Sequence, residues 1–224
     1  MNPEKDPYYS RPEVSNSDLS WLKKYWEPQQ YVIDLEKAFR FGTLIDCMIT
    51  EPHKVNYFKL TCAGDPYSPE EFEQAEAMKK SFYSDPFCAQ MAKQCTFQKN
   101  TIVPKFDITL NSGFTFDLPA RCRWDLYCER IDMGGDIKST AATTQKQFED
   151  AIYHLDYDRS RAWYMDLAGR NNDILIGISK VNFKIFKVPI KRGDKLYRSG
   201  YEKYRELAFR YWYLFSNSFL QNQN

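Results

Sequence analysis

RCRWDLYCER, Arg121 to Arg130, runs straight into IDMGGDIKST, Ile131 to Thr140, and the reading of this stretch decides the fold. Both halves carry strand-forming residues, and the segment from Asp132 to Gly135 supplies a turn between them. Residues two apart on a strand point to the same face, so Asp136 and Lys138 project together while the Ile137 side chain turns into the core. Pairing through the turn brings Asp125 alongside Asp136. Two carboxylates at one spot repel unless a cation sits between them, and hard oxygen ligands suit Mg²⁺ or Mn²⁺. An ammonium beside them, Lys138, can orient an attacking water and stabilise a pentavalent phosphate. These are the parts for phosphodiester hydrolysis. The same alternation puts Arg121, Arg123, Asp125 and Tyr127 on one face, so both arginines would line the approach to Asp125, where a nucleic-acid backbone needs cations. An ordinary exposed strand edge explains them as well. An Asp-x-Lys spacing by itself arises by chance in a chain with 27% charged residues, so its meaning depends on the surroundings.

Working outward, the preceding residues read as strands: TFQKNTIV, KFDITL and GFTFDL, with a turn at Asn111-Ser112-Gly113. Beyond the central stretch, a buried strand runs from Asp173 to Ser179 and a second from Phe183 to Val188. Helices flank both groups. Ser15 is placed to cap one that carries Leu19, Leu22 and Trp26, with Asp18 in its first turn. A second covers about 33 to 49, through Leu35, Phe39, Leu44, Ile45 and Met48, and Pro52 marks its end. Ser68-Pro69-Glu70-Glu71 and Asp85-Pro86 are strong helix starts. Helical signals return over 143–155 and 158–168, and a long amphipathic helix runs from Arg198 to about Phe219. The order predicts an α/β fold with a central mixed sheet flanked by helices. Residues 1–14 read as an extended N-terminal arm, and 15–224 as a single domain.

The composition excludes little. With 224 residues, 43% of them apolar, one well-buried domain is expected. The aromatic share of 17%, with 16 Tyr and 16 Phe, suits core packing first and base stacking second. A net charge of +1 gives no global positive field, but a local basic groove beside an acidic site cancels in such a sum. No apolar run is long enough for a membrane span, and the polar first residues lack the apolar stretch of a signal peptide, so a cytoplasmic protein without membrane contact is expected. The six cysteines form no zinc-like spacing and read as small buried hydrophobes. There is no GxxxxGK[ST] loop, so no ATP use is expected.

Three further segments give the central stretch a context. Phe39-Arg40-Phe41-Gly42-Thr43-Leu44-Ile45-Asp46, with Glu51-Pro52 behind it, resembles the helix of RecB- and RecE-like exonucleases that carries a metal-binding His four residues after a Gly. Val14-Ser15-Asn16-Ser17-Asp18-Leu19 resembles the Ile-Ser-x-Ser-x-Leu opening of phage-type relatives of exodeoxyribonuclease VIII. Tyr157-Asp158-Arg159-Ser160-Arg161-Ala162-Trp163-Tyr164 is similar to their Tyr-x-x-Gln-x-x-x-Tyr helix. Order and spacing fit from about residue 14 to residue 180. The chain thus resembles the PD-(D/E)xK nuclease superfamily, with its restriction-endonuclease-like core.

That resemblance implies Asp125 and Asp136 as metal ligands, the Ile137 carbonyl as another, and Lys138 as the group that assists the water. Mg²⁺ or Mn²⁺ would be the cofactor, with a two-metal site within reach of the ligand set. Asp46 stands where the family has His and is still a good ligand for a hard cation. Ser160 stands where the family has Gln, and Arg159 and Arg161 beside it can take over phosphate contact, although arginines on a helix are more often simply solvated. Tyr157 and Tyr164 keep their family positions and would equally serve as core aromatics. No cysteine follows Cys128, so the iron–sulfur cluster of some relatives is not expected. The implied activity is exonucleolytic, at DNA ends in recombination or phage DNA metabolism. A single-strand annealing protein would be its partner, and a homo-oligomeric ring its assembly. Two rivals are a catalytically silent module that binds nucleic acid or protein, favoured by Asp46 and Ser160, and an endonuclease or nickase.

Overall fold

The computed structural model describes residues 6–27 and 35–221. The expected arm at 1–5, the first two residues of the helix expected from 33, and residues 222–224 lie outside the described residues. A short 3-10 turn, Pro7–Ser10, leads to α1 (Asn16–Trp26) and α2 (Leu35–Thr50). Three two-residue strands follow, β1 (Val55–Asn56), β2 (Thr61–Cys62) and β3 (Asp65–Pro66), and then α3 (Pro69–Ser84) and α4 (Pro86–Gln94). The large strands β4 (Thr96–Thr109), β5 (Thr115–Cys128) and β6 (Met133–Thr140) come next, followed by α5 (Gln145–His154) and α6 (Tyr157–Leu167). The chain closes with β7 (Asn172–Ser179), β8 (Ile185–Lys191) and α7 (Lys195–Gln221).

The five long strands form one mixed sheet in the order β4-β5-β6-β7-β8. Neighbours pair antiparallel except β6 and β7, which run parallel because α5 and α6 carry the chain back between them. The helices divide between two cores. Leu19, Phe148, Trp163 and Tyr204, from α1, α5, α6 and α7, pack in one. Leu44, Met48, Phe82 and Met91, from α2, α3 and α4, pack in the other with Ile137, Ile174, Ile176 and Ile178 of the sheet. Along β7 the isoleucines at even positions enter this second core while Leu175 enters the first, which is the period-two alternation of a strand covered on both faces.

The helix starts follow the sequence signals. Ser15 with Asp18, and Ser68 with Glu71, each form a reciprocal capping box, and Asp85 caps α4 behind Pro86. α7 begins one turn earlier than the pattern indicates, where Asp194 accepts the Tyr197 N–H at 2.8 Å.

Three features differ from the sequence reading. The strands split there at Pro104 and Pro119 are the continuous β4 and β5, because both prolines fall in one bulge, where the register shifts between Val103↔Ala120 and Phe106↔Leu118. A bulge is where a missing N–H costs no ladder bond. Residues 6–14 are a docked segment and not an extended arm. Tyr8 and Val14 are buried, and Val14 bridges to β5 by donating to the Pro119 carbonyl at 2.9 Å and accepting from Arg121 N at 2.8 Å. The small β1-β2-β3 sheet has strands too short to leave a periodic signal. All six cysteines are free, five of them buried. No helix among the described residues is long and apolar enough to cross a membrane.

Candidate functional site

The site forms where the sheet comes apart. β5 and β6 pair at Cys128↔Met133, Tyr127↔Gly134 and Leu126↔Gly135 and then diverge. The next pair would be Asp125 with Asp136. Instead the Asp125 carboxylate fills the split, its Oδ2 accepting the Ile137 N–H at 2.8 Å. That N–H keeps a partner although the ladder has ended. The other side of β5 is irregular at the same point. Phe97↔Leu126 and Lys99↔Trp124 are paired, but Gln98, opposite Asp125, is left out and has φ of 52°. Trp124 packs in the first core and Leu126 in the second, so the strand's alternation breaks at Asp125. Gly134 makes room for this geometry, since a Cβ there would lie 1.9 Å from the Trp124 ring.

Asp46 reaches the centre from α2. Gln98 Nε2 donates to both of its carboxylate oxygens, at 3.1 and 3.3 Å, and Thr50 Oγ1 lies 3.2 Å from one of them. Burial, then the charges of Asp46 and Asp136, push the Asp125 carboxyl well above the usual range, against the opposing pull of Lys138 and the Ile137 N–H. Burial is also the main reason that Asp46 is pushed up to about 7, with Cys47 adding to it and Thr50 and Lys138 opposing.

Asp136 is held differently. Arg161 Nη1 donates to its Oδ1 at 2.8 Å, and Arg161 Nε to Asp173 Oδ2 at 2.7 Å. The Arg161 side chain is fully buried, with its guanidinium over the rings of Trp124 and Tyr164, 5.0 and 4.3 Å from their centroids. Lys138 Nζ stands 2.6 Å from Asp136 Oδ2. That approach is an ion pair without hydrogen-bond direction, and Oδ2 is a buried oxygen that accepts no hydrogen bond. Desolvation works against the Lys138 charge, but Asp136, Asp125 and Tyr157 outweigh it and hold the group above its ordinary value. Lys138 is therefore an ammonium at neutral pH.

Among the described residues, no three His, Cys, Asp or Glu side chains stand close enough together to ligate one ion. The donors nevertheless fit a hard divalent cation. Asp46 and Asp125 repel across the centre, so positive charge placed between them relieves that repulsion. The Ile137 side chain is buried in the second core, as alternation requires, which leaves its backbone to the site.

The other expected residues divide. Tyr157 borders the centre, its ring centroid 5.4 Å from Lys138 Nζ. Ser160 turns its hydroxyl back onto the Tyr157 carbonyl at 2.9 Å. Tyr164 is a core aromatic edge-on to Trp124. The phosphate contacts expected of Arg159 and Arg161 are corrected by their burial. Arg159, 3% exposed, is spent on Asn16, Asp156 and Ser20, and Arg161 on Asp136 and Asp173. Arg121 is also buried, against Tyr8, with its Nη1 on the Tyr8 carbonyl. Arg123 remains at the rim, paired with Asp6. The sequence reading missed Gln98, Thr50 and Asp173. Asp173 had a signal: an acid two residues before Leu175, the partner of Asp136 across β6–β7, must share the Asp136 face. Gln98 had none, because its role comes from an irregular backbone.

Residues 15–218 match a family described as a PDDEXK-like domain of unknown function (DUF3799). No curated protein matches the chain in sequence. Among solved structures, a protein from Eubacterium rectale whose name gives it as a candidate exonuclease superposes with a TM-score of 0.53 at 15% identity, over 90% of this chain and 74% of that one. That likeness concerns the fold. A phage-related exonuclease from Haemophilus somnus 129PT aligns at 12% identity, over 97% of this chain and 91% of the other, with a TM-score of 0.40.

Proposed function

The chain belongs to the family of PDDEXK-like domains, and from that premise we propose that it is a metal-dependent deoxyribonuclease that hydrolyses phosphodiester bonds at DNA ends. The observation that carries the reading is the parted β5–β6 hairpin, with Asp125 in the split and Asp136 and Lys138 on the strand across it. Asp125, Asp136 and Asp46 would hold Mg²⁺ or Mn²⁺, with the Ile137 carbonyl available beside them. The ion, when bound, neutralises the phosphate and lowers the pKa of the attacking water. Lys138, held as an ammonium, orients that water and takes up charge developing on the phosphate oxygens. Arg161 fixes one oxygen of Asp136 and leaves the other directed to the centre. The preference for ends follows the resemblance to recombination exonucleases, alongside the exonuclease name of the Eubacterium rectale protein. On that reading the product strand would pass to an annealing partner.

The test is degradation of end-labelled linear duplex with Mg²⁺, Mn²⁺ or EDTA, with closed circular duplex alongside and Asp125→Asn as the paired variant. Metal-dependent loss of label from linear DNA by the wild type alone is the expected result. Cleavage of the circle would move the reading to an endonuclease. A second reading, a silent module that binds nucleic acid, draws on one observation: Asp136 already has cations on both oxygens, from Arg161 and Lys138. Binding without cleavage of any DNA with either metal would establish it in place of the first.

A further inference from the structure

The N-terminal segment lies against the arginines that flank the carboxylate centre. Arg123 sits two residues before Asp125 on β5, and its Nη1 and Nη2 each meet one oxygen of Asp6, at 2.5 and 2.9 Å. This is the forked, two-point geometry that guanidinium groups use on carboxylates and phosphates alike. Lys54 Nζ stands 3.7 Å from the same Asp6 carboxylate and 2.7 Å from Glu51. The Tyr8 ring lies under both guanidiniums, 4.1 Å from that of Arg123 and 4.8 Å from that of Arg121. Tyr9 is 71% exposed. The Arg123 guanidinium lies 5.3 Å from its ring centroid.

We propose that Arg123 and Lys54 form a subsite for a phosphodiester group next to the carboxylate centre, and that residues 6–10 of the same chain occupy it until a nucleic-acid strand displaces them. The proposal rests on the nuclease reading. Asp6 presents two anionic oxygens to the arginine fork, as a backbone phosphate does. The anchors of the segment are Val14 on β5, the Tyr8 ring and carbonyl against Arg121 and Arg123, and the Asp6 contacts. Release of residues 6–10 therefore breaks the Asp6 pairings, the Arg121 bond to the Tyr8 carbonyl and the ring contacts, and leaves the Val14 bridge in place. A strand brings several phosphates and releases condensed counterions, so it can outcompete one carboxylate.

The test uses the full chain, a short fluorescent duplex, and Ca²⁺ in place of Mg²⁺, and compares wild type with Asp6→Asn and Arg123→Gln. Asn keeps an acceptor for the Tyr8 N–H, which Asp6 now binds at 3.0 Å, so the turn should survive. The expected result is a Kd several-fold tighter for Asp6→Asn, weaker binding for Arg123→Gln, and faster amide hydrogen exchange at residues 8–10 of the wild type when DNA is added. An unchanged or weaker Kd for Asp6→Asn, or exchange at 8–10 that DNA leaves unchanged or slows, overturns the proposal. If wild type cleaves DNA while Asp6→Asn binds no better, the subsite reading alone falls. If none of the three proteins binds or cleaves DNA, it falls together with the nuclease reading.

Discussion

The two sides of the candidate centre carry the same residue type under opposite electrostatic conditions. On the α6 side, Asp136 and Asp173 share the buried Arg161 guanidinium, and Lys138 stands beside Asp136. On the α2 side, Asp125 and Asp46 face each other with a backbone N–H, an amide and a hydroxyl as neighbours, and each is pushed up by burial and by nearby negative charge. One side has its countercharge built into the chain. The other has only the pull of Lys138, which burial outweighs. The difference separates aspartates with an ion pair inside the chain from aspartates without one, which a list of four aspartates would not.

The largest expected effect tests the second side. Asp125→Asn should lower the rate of DNA cleavage by on the order of 10²–10³-fold, comparable to the loss of one group that stabilises a transition state electrostatically. The same variant should be slightly more stable than wild type in EDTA, by about 1 kcal/mol, because it removes a like-charge contact. On the first side the sign reverses. Arg161→Met leaves Asp173 buried without its cation and Asp136 with Lys138 alone, and should cost about 3–5 kcal/mol in urea denaturation. If Asp125→Asn and Arg161→Met destabilise equally, the two sides do not differ and the cation-seeking reading of Asp125 is wrong.

Acid and base should act on the two kinds of aspartate in opposite directions. Asp46, with a folded pKa of about 7 against an ordinary value of 3.8, binds its proton more tightly folded than unfolded. Its contribution is therefore most favourable below about pH 4 and is lost as pH rises through 7. The buried charge then costs on the order of 1–3 kcal/mol at neutral pH in the metal-free protein. Asp156 carries the opposite sign. Burial raises it, but Lys23, Arg159 and Lys203 together hold it below its ordinary value, so its contribution is present above about pH 4 and is lost as pH falls further. Unfolding measured in EDTA from pH 4 to 8 should show stability falling with pH in the wild type and a flatter profile in Asp46→Asn. A wild-type profile that rises over this range would show that the Asp46 carboxylate is not strained by burial.

How far the sequence reached follows the same division. The mixed sheet, the capped helices and the approach of Asp125 to Asp136 were legible because period-two alternation and Ser caps are local signals, although the turn falls at 129–132 and not at Asp132–Gly135, both glycines pairing within β6. The roles of Arg121, Arg159 and Arg161 were not. A helix pattern shows an arginine but not the aspartate that meets it from a strand far along the chain, as Asp173 meets Arg161. The docked segment at residues 6–14 was hidden for a related reason. Its anchors are Arg121, Arg123 and the free edge of β5, and that edge is free only because β6 leaves it early.

Gln98 gives the finest test of the comparison. Its left-handed backbone, φ 52°, costs a non-glycine residue about 1 kcal/mol, and Gly would adopt it without strain. The strain is offset by the amide, which donates to both oxygens of Asp46 and to Thr50 Oγ1. Gln98→Gly should therefore change stability by less than about 1 kcal/mol, the relieved strain balancing the lost bonds. Its clearer effect should be on the ligand side: a smaller thermal shift on adding Mn²⁺, because Asp46 loses the group that orients it. Gln98→Ala keeps the strain and loses the amide, so it should be the less stable of the two. If Gln98→Gly is clearly stabilised and its Mn²⁺ response matches wild type, the amide does not orient Asp46, and the irregularity at Gln98 serves the bulge opposite Asp125 alone.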